Sequence, residues 1–339
     1  GGGNPAKSTV ERIDYGNDTA TASPKGPLSS ARKYFGATGN ASFGYFGGST
    51  PGPKSTVDRI DYSNDTATAV AKGPLSVARY NLAATGNTSF GYFGGGSPAK
   101  SLIDRVDYSN DTATASAKGP LTSYREGSAA VSRKDNGLPD TSGISPVATN
   151  FGYFGGGETP SAKVTIVDRI DYSNDTATAS TKGPLSLARN DLAATGNADF
   201  GYFGGGYLPS GVSYSIVDRV DYTSDTSTMS PKGPLDTARY AHAATGNADS
   251  GYFAGTYPVG SSVDRVDYSN DTATAVEKGP LSVNRFSLAG TSSRANGIPS
   301  TATVNYAAGT YGTPNTGYFI GGLQTATNPN WVSTVNRID

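Results

Sequence analysis

The chain repeats itself. The stretch from Phe43 to Arg79 reads FGYFGG, a Pro-rich loop, STVDRIDY, SNDTATA and KGPLSVAR, and nearly the same unit recurs along all 339 residues. A fixed repeat constrains the fold more than any local propensity, because each unit has to bury its apolar face against its neighbours. With Asp61 as the ruler, the counterparts are Asp14, Asp107, Asp171, Asp221, Asp267 and Asp339. The steps are 47, 46, 64, 50, 46 and 72 residues, so the base period is 46–50 and two steps carry insertions.

Each unit offers four short strands. Strand a follows the Arg of GPLSxAR, as in Tyr80 to Ala84, and a tight turn at Thr85 to Asn87 follows it. Strand b is Phe90 to Phe93, ending in glycines. Strand c is Thr56 to Tyr62, and strand d is Thr66 to Ala69. Runs of β-branched and aromatic residues bounded by Gly, Asn and Pro punctuate strands and turns. No segment sustains a 3.6-residue apolar period, so almost no helix is expected. The glycine run lets the backbone lie close to the next unit.

This order, from the Arg through GYFGGG, V-D-R-[IV]-D-Y, N-D-T and back to G-P-L-x-x-x-R, resembles the kelch repeat. The resemblance covers essentially the whole chain and implies an all-β propeller of four-stranded blades. Kelch blades often carry Trp in strand d, where this chain has Thr68, so the packing between blades should use smaller side chains. Seven VDRID-type strands stand against six GYF and six TATA-type strands. This count favours seven blades, with six as the alternative, in a single ring over 1–339. The chain is expected to be a fragment or the mature part of a longer one.

The Arg-to-Tyr spacing between strands a and b is 13 in four units, but 28 from Arg125 to Tyr153 and 33 from Arg285 to Tyr318. The insertions, at about 126–150 and 292–314, carry Arg133, Lys134, Asp135, Asn136 and Arg294, Asn296. Their Asn-Gly pairs signal hairpin turns, and these six residues are candidate assembly contacts. In an up-down blade the a–b and c–d turns share one face, and the b–c and d–a loops share the other.

Hydrophobic residues make up 35% of the chain, so Tyr, Phe, Val, Leu and Ala must supply the burial in thin stacked sheets. The net charge of −1 gives no electrostatic footprint for nucleic acid. No apolar run is long enough to span a membrane. Cysteine is absent, which removes disulfides, thiol nucleophiles and Cys-based metal sites.

Arg59 with Asp61, Arg105 with Asp107, Arg169 with Asp171, Arg219 with Asp221 and Arg265 with Asp267 lie two apart on one strand face. They are read as structural, pairing ions between blades, since Arg suits bidentate sites. Asp61, Asn64 and Asp65 could offer oxygens to calcium, but an Asx turn at Asn64 and Asp65 explains the loop without a metal. The Asn17, Asn64, Asn110, Asn174 and Asn270 turns also match glycosylation sequons. His242, the only histidine, replaces a leucine of other units and reads as a packed strand residue.

Some propeller enzymes related to kelch use copper with a Tyr–Cys cross-link, which this chain lacks. Sialidase-like propellers need acids and arginines that differ between blades, whereas here those residues repeat. The expectation is therefore a non-enzymatic protein without cofactor. Its composition is similar to that of kelch-like repeats in tail-fibre and virion-surface proteins of marine phages, which implies an extracellular or virion-surface location. Three roles stay open. The first is binding of a host glycan or protein receptor through Tyr207, Tyr214, Tyr257 and Trp331 in the b–c loops. The second is an assembly subunit, with self-association possible. The third is an intracellular adaptor that captures peptides.

Overall fold

Short runs with a period of two, each closed by a tight Asn, Gly or Pro turn, pair most readily with their sequence neighbours. The computed structural model shows that pairing. It describes residues 1–3, 6–98, 100–132, 150–258 and 260–292, and the backbone of 317–323 and 331–338. The chain divides into two units, Gly1–Ile298 and Pro299–Asp339.

The first unit begins with β1 (Val10–Arg12) paired with β2 (Ser23–Lys25). A four-stranded antiparallel blade follows: β3 (Gly36–Gly39), β4 (Phe43–Gly47), β5 (Val57–Asp61) and β6 (Val70–Lys72). The same order recurs over 83–118, 129–182, 193–231 and 243–278, giving five complete blades. In the second unit, Gly317–Leu323 pairs antiparallel with Trp331–Ile338. Helical structure among the described residues is limited to three 3-10 turns.

Register turns the repeat into inter-blade glue. Tyr45 stands opposite Arg59 and Phe46 opposite Asp58. Residues paired this way share a face of the sheet, so the two pairs serve opposite faces. The Tyr45 ring stacks on Tyr108 of the next blade at 4.6 Å, and equivalent pairs recur to Tyr15–Tyr252 at 4.9 Å. A Cβ on Gly47 would come within 2.7 Å of the Phe93 ring, so this glycine admits the neighbouring aromatic.

Three belts run around the axis, and each closes after six steps. In the outer belt, Asp111 accepts from Tyr45, Arg59 and Lys72 of the preceding blade, and Asp65 closes it by taking Arg12 and Lys25. In the middle belt, Tyr108, Tyr172, Tyr268, Tyr15 and Tyr62 reach threonine hydroxyls of the preceding blade, while Tyr222 reaches the Ser132 carbonyl. In the inner belt, the amides of Tyr34, Asn81, Gly127, Asp191, Ala241 and Ser287 each donate to the carbonyl of the previous member, and Tyr34 donates to Ser287, at 2.5–3.0 Å.

The unit Gly1–Ile298 therefore arranges six positions around its axis, with β1–β2 and the segment after Arg285 at the sixth. The seventh VDRID-type strand, which led the sequence count to favour seven, is Trp331–Ile338 of the second unit.

Three boundaries differ from the sequence expectation. Strand a starts at Ala83 rather than Tyr80, because Asn81 takes a left-handed turn (φ 57°) to join the inner belt. Strand d is Val70–Lys72 rather than Thr66 to Ala69. The Thr-Ala stretch is drawn off by the neighbouring blade, as the Ala69 amide donates to the Pro27 carbonyl. The insertion placed at 126–150 begins only after Ser132, since Ala129–Ser132 is strand a itself.

Candidate functional site

The repeating charges lie in the scaffold. Asp58 and the fully buried Arg32 pair at 2.8 Å, and the same link joins Arg79–Asp104, Arg125–Asp168, Arg189–Asp218 and Arg239–Asp264. At the sixth position Arg285 meets Glu11. An unpaired charge at such depth would cost several kcal/mol, on the order of 3–5, so each ion requires its partner. These arginines and first-position aspartates were not singled out in the sequence, although their recurrence in GPLxxxR and VDRID was the signal.

Arg59, Arg105, Arg169, Arg219 and Arg265 cross to the next blade and meet Asp111, Asp175, Asp225, Asp271 and Asp18 at 2.7–2.9 Å. Asp61 is not their partner. Asp61, Asp107, Asp171, Asp221 and Asp267 accept the amide two residues on at 2.9 Å, and so form the Asx turn that was expected at Asn64 and Asp65. Asp65 instead receives Arg12 and Lys25. In these contacts Asp61 Oδ1 takes a turn amide and Asp65 takes two cations of the neighbouring position, which gives both residues a structural role without a metal. Among the described residues no set of three metal-type side chains lies close enough to hold an ion. Burial pushes Asp111 up, but hydrogen bonds from Tyr45 and Lys72 and the charge of Arg59 outweigh it and hold the carboxyl below its usual range.

His242 packs against Phe253 at 5.9 Å, and burial, followed by the charge of Arg239, pushes its pKa well below the ordinary value. Arg133, Lys134, Asp135, Asn136, Arg294 and Asn296 lie outside the described residues, and of Trp331 only the backbone is described.

Blade-specific chemistry gathers at one mouth of the channel. The two residues after each buried arginine read Lys33-Tyr34, Tyr80-Asn81, Glu126-Gly127, Asn190-Asp191, Tyr240-Ala241 and Phe286-Ser287. All six second members have positive φ, between 52° and 62°. That left-handed conformation turns the chain from the d–a corner into the channel wall, and their amides form the inner belt.

Above the belt, Tyr207 meets Tyr240 at 4.7 Å, Tyr240 meets Tyr257 at 5.0 Å and Tyr257 meets Phe286 edge-on at 5.0 Å. Lys163 lies 4.2 Å over Tyr207 and caps this arc. Two of the four aromatics proposed from sequence thus belong to one surface. Tyr214 is 40% exposed in the same loop as Tyr207 but stands outside the stack. Tyr240 and Phe286 were missed, because they sit inside the repeat frame rather than in a variable loop. Aligning the residues after each Arg would have found them. Burial, with Tyr257 and Tyr207 adding to it, pushes the Tyr240 phenol up to about 12.

Beside the arc lie the acids. Asn190 donates to Glu158 at 2.8 Å, and Glu126 and Glu158 exchange backbone hydrogen bonds. Burial pushes Asp191 up to about 6, with the charges of Glu126 and Glu158 adding to the effect against Asn81 and Lys163. The mouth encloses ≈ 90 Å³ between the six inner-belt residues and those that follow them.

No protein-family model matches the chain, and no curated protein matches it. The solved structure of YjhT is similar to it with a TM-score of 0.60 at 12% identity, over 91% of this chain and 95% of that one. The fold is a β-propeller. At this identity the likeness carries the architecture alone, and the site is argued from the residues at the mouth.

Proposed function

We propose that this chain is a non-enzymatic binding module, presented on a virion or cell surface, which takes a host-surface glycan at the variable channel mouth. One observation carries the reading: in a chain of near-identical units, the dipeptides that follow the buried arginines differ from blade to blade, and with the b–c loops they build an aromatic arc at one mouth. Aromatic faces bind the C–H faces of sugar rings, and nearby carboxylates and amides accept sugar hydroxyls. Tyr207, Tyr240 and Tyr257 supply the platform, with Lys163 and the acids at its edge. The kelch-like repeats and the lack of cysteine support an exposed setting.

The test is a glycan panel probed with the purified chain, followed by titration of any hit. Tyr240→Ala and Tyr207→Ala are each expected to weaken binding about tenfold, the value of one lost aromatic contact of roughly 1.4 kcal/mol, in protein that a melt shows to be still folded at the assay temperature. A hit that binds both variants as well as it binds the parent would overturn the reading. So would saturable binding of a protein receptor with no glycan requirement.

A further inference from the structure

The unsatisfied polar atoms at the mouth are acceptors, and this deepens the glycan reading. Asn190 is 6% exposed, and its amide nitrogen is committed to Glu158, which leaves its Oδ1 buried without a partner. Glu126 Oε2 is likewise buried and unpartnered. Both flank Asp191. A Cβ on Gly127 would lie 2.9 Å from Asp191 Oδ1 and 3.3 Å from the Asn190 Cβ, so the glycine is what lets the two side chains crowd this corner.

A buried acceptor without a donor costs free energy comparable to a lost hydrogen bond. Three carboxylates, Glu126, Glu158 and Asp191, meet one ammonium, Lys163, whose Nζ already donates to the Leu208 carbonyl. Asn81 serves Asp191 and Asn190 serves Glu158, but Glu126 Oε2 and Asn190 Oδ1 have no donor, and the carboxylates outnumber the ammonium three to one. The acids do not form a metal-holding set. Asp191 and Gly127 also line the channel hollow of ≈ 90 Å³, so the acid corner opens towards it.

We propose that the mouth recognises a sugar with a free amine, its ammonium set between Asp191, Glu126 and the Asn190 Oδ1 and its pyranose ring lying on Tyr240 and Tyr207. An ammonium supplies three donors and the missing charge at once. N-acetylation would remove the charge and leave a single N–H where the corner offers several acceptors.

This inference rests on the glycan reading but can fail without it. Calorimetric titration would compare a glucosamine tetramer with free amines, its N-acetylated counterpart and a tri-lysine peptide. The free-amine sugar is expected to bind at least about tenfold tighter than the other two. Asp191→Asn and Glu126→Gln are each expected to weaken it about ten- to a hundredfold while leaving any neutral-sugar binding in place. Removing Asp191's charge relieves repulsion, so that variant should melt no lower than the parent, and lost binding cannot be put down to misfolding. Equal binding of amine and N-acetyl sugars would overturn the inference and leave the glycan surface standing. Equal binding of tri-lysine would overturn it in favour of a peptide ligand. No binding of any sugar would overturn both.

Discussion

The two ends of the channel are built from the same repeat and do opposite things with it. At the end where strands a and b turn, Thr38, Thr85, Thr195, Thr245 and Thr291 accept or donate to tyrosines in the same way around the ring. At the other end, the residues after the buried arginines differ in every blade. Identical contacts tie blade to blade at the first end, and blade-specific side chains crowd the second. A duplicated unit can diverge only where its side chain has no obligatory partner in the next copy, and the second end is such a place.

That contrast can be broken from the scaffold side first. Arg79→Ala and Arg189→Ala should each cost about 3–5 kcal/mol, because each strands a buried aspartate. The two should be similar, since each loses one fully buried aspartate partner at 2.7–2.9 Å, and denaturant melts would check both statements. A clear inequality would mean that the blades are not equivalent where they look alike. Arg59→Ala should cost less, about 1–2 kcal/mol, because its guanidinium is a quarter exposed and partly screened. An unchanged midpoint would remove Arg59 from the inter-blade clamp.

Acid should separate the two ends. Asp111 and Asp18 are held below the ordinary carboxylate range in the fold, chiefly by Tyr45 and Tyr252 working against burial. Their contribution to stability is present above the unfolded value of about 4 and is lost as pH falls through the lower folded value. Asp191 has the opposite sign. Its folded pKa of about 6 lies above the unfolded one, so its ionisation costs stability that is regained as pH falls from about 6 to 4. The groups facing it are Glu126, Glu158, Lys163 and Asn81. Melts across this range in the parent and in Asp191→Asn should converge as the pH drops, and parallel curves would show that Asp191 is not the titrating group. Asp191→Asn at pH 8 is accordingly expected to melt above the parent, read from the same melts.

Much of the architecture was legible because the repeat reports it many times over. Strand c, expected over Thr56 to Tyr62, is Val57–Asp61. Strand b differs from its expected span by one glycine. Strand d was misplaced because its signal, β-branched Thr and small Ala, says nothing about which partner takes the backbone bonds. The roles of Asp61 and Asp65 were exchanged for a similar reason. Both are acidic residues beside a turn, and only the approach of the neighbouring blade's arginine and lysine decides which of them caps and which pairs. The mouth was half legible. Tyr207 and Tyr257 stand out in variable loops, whereas Tyr240 and Asp191 look like noise within a conserved frame until the six copies are set side by side.

The inner belt has a consequence for how such a protein can change. Its six amides and six carbonyls satisfy one another in a cycle without ends, so the backbone there needs no hydrogen bond from the side chains it carries and asks only that they tolerate a left-handed φ. The mouth then works like a dial with six settings, each a dipeptide that answers at most to its neighbours, as Gly127 does to Asn190 and Asp191. A new ligand would need new letters at a few of those settings and no new fold.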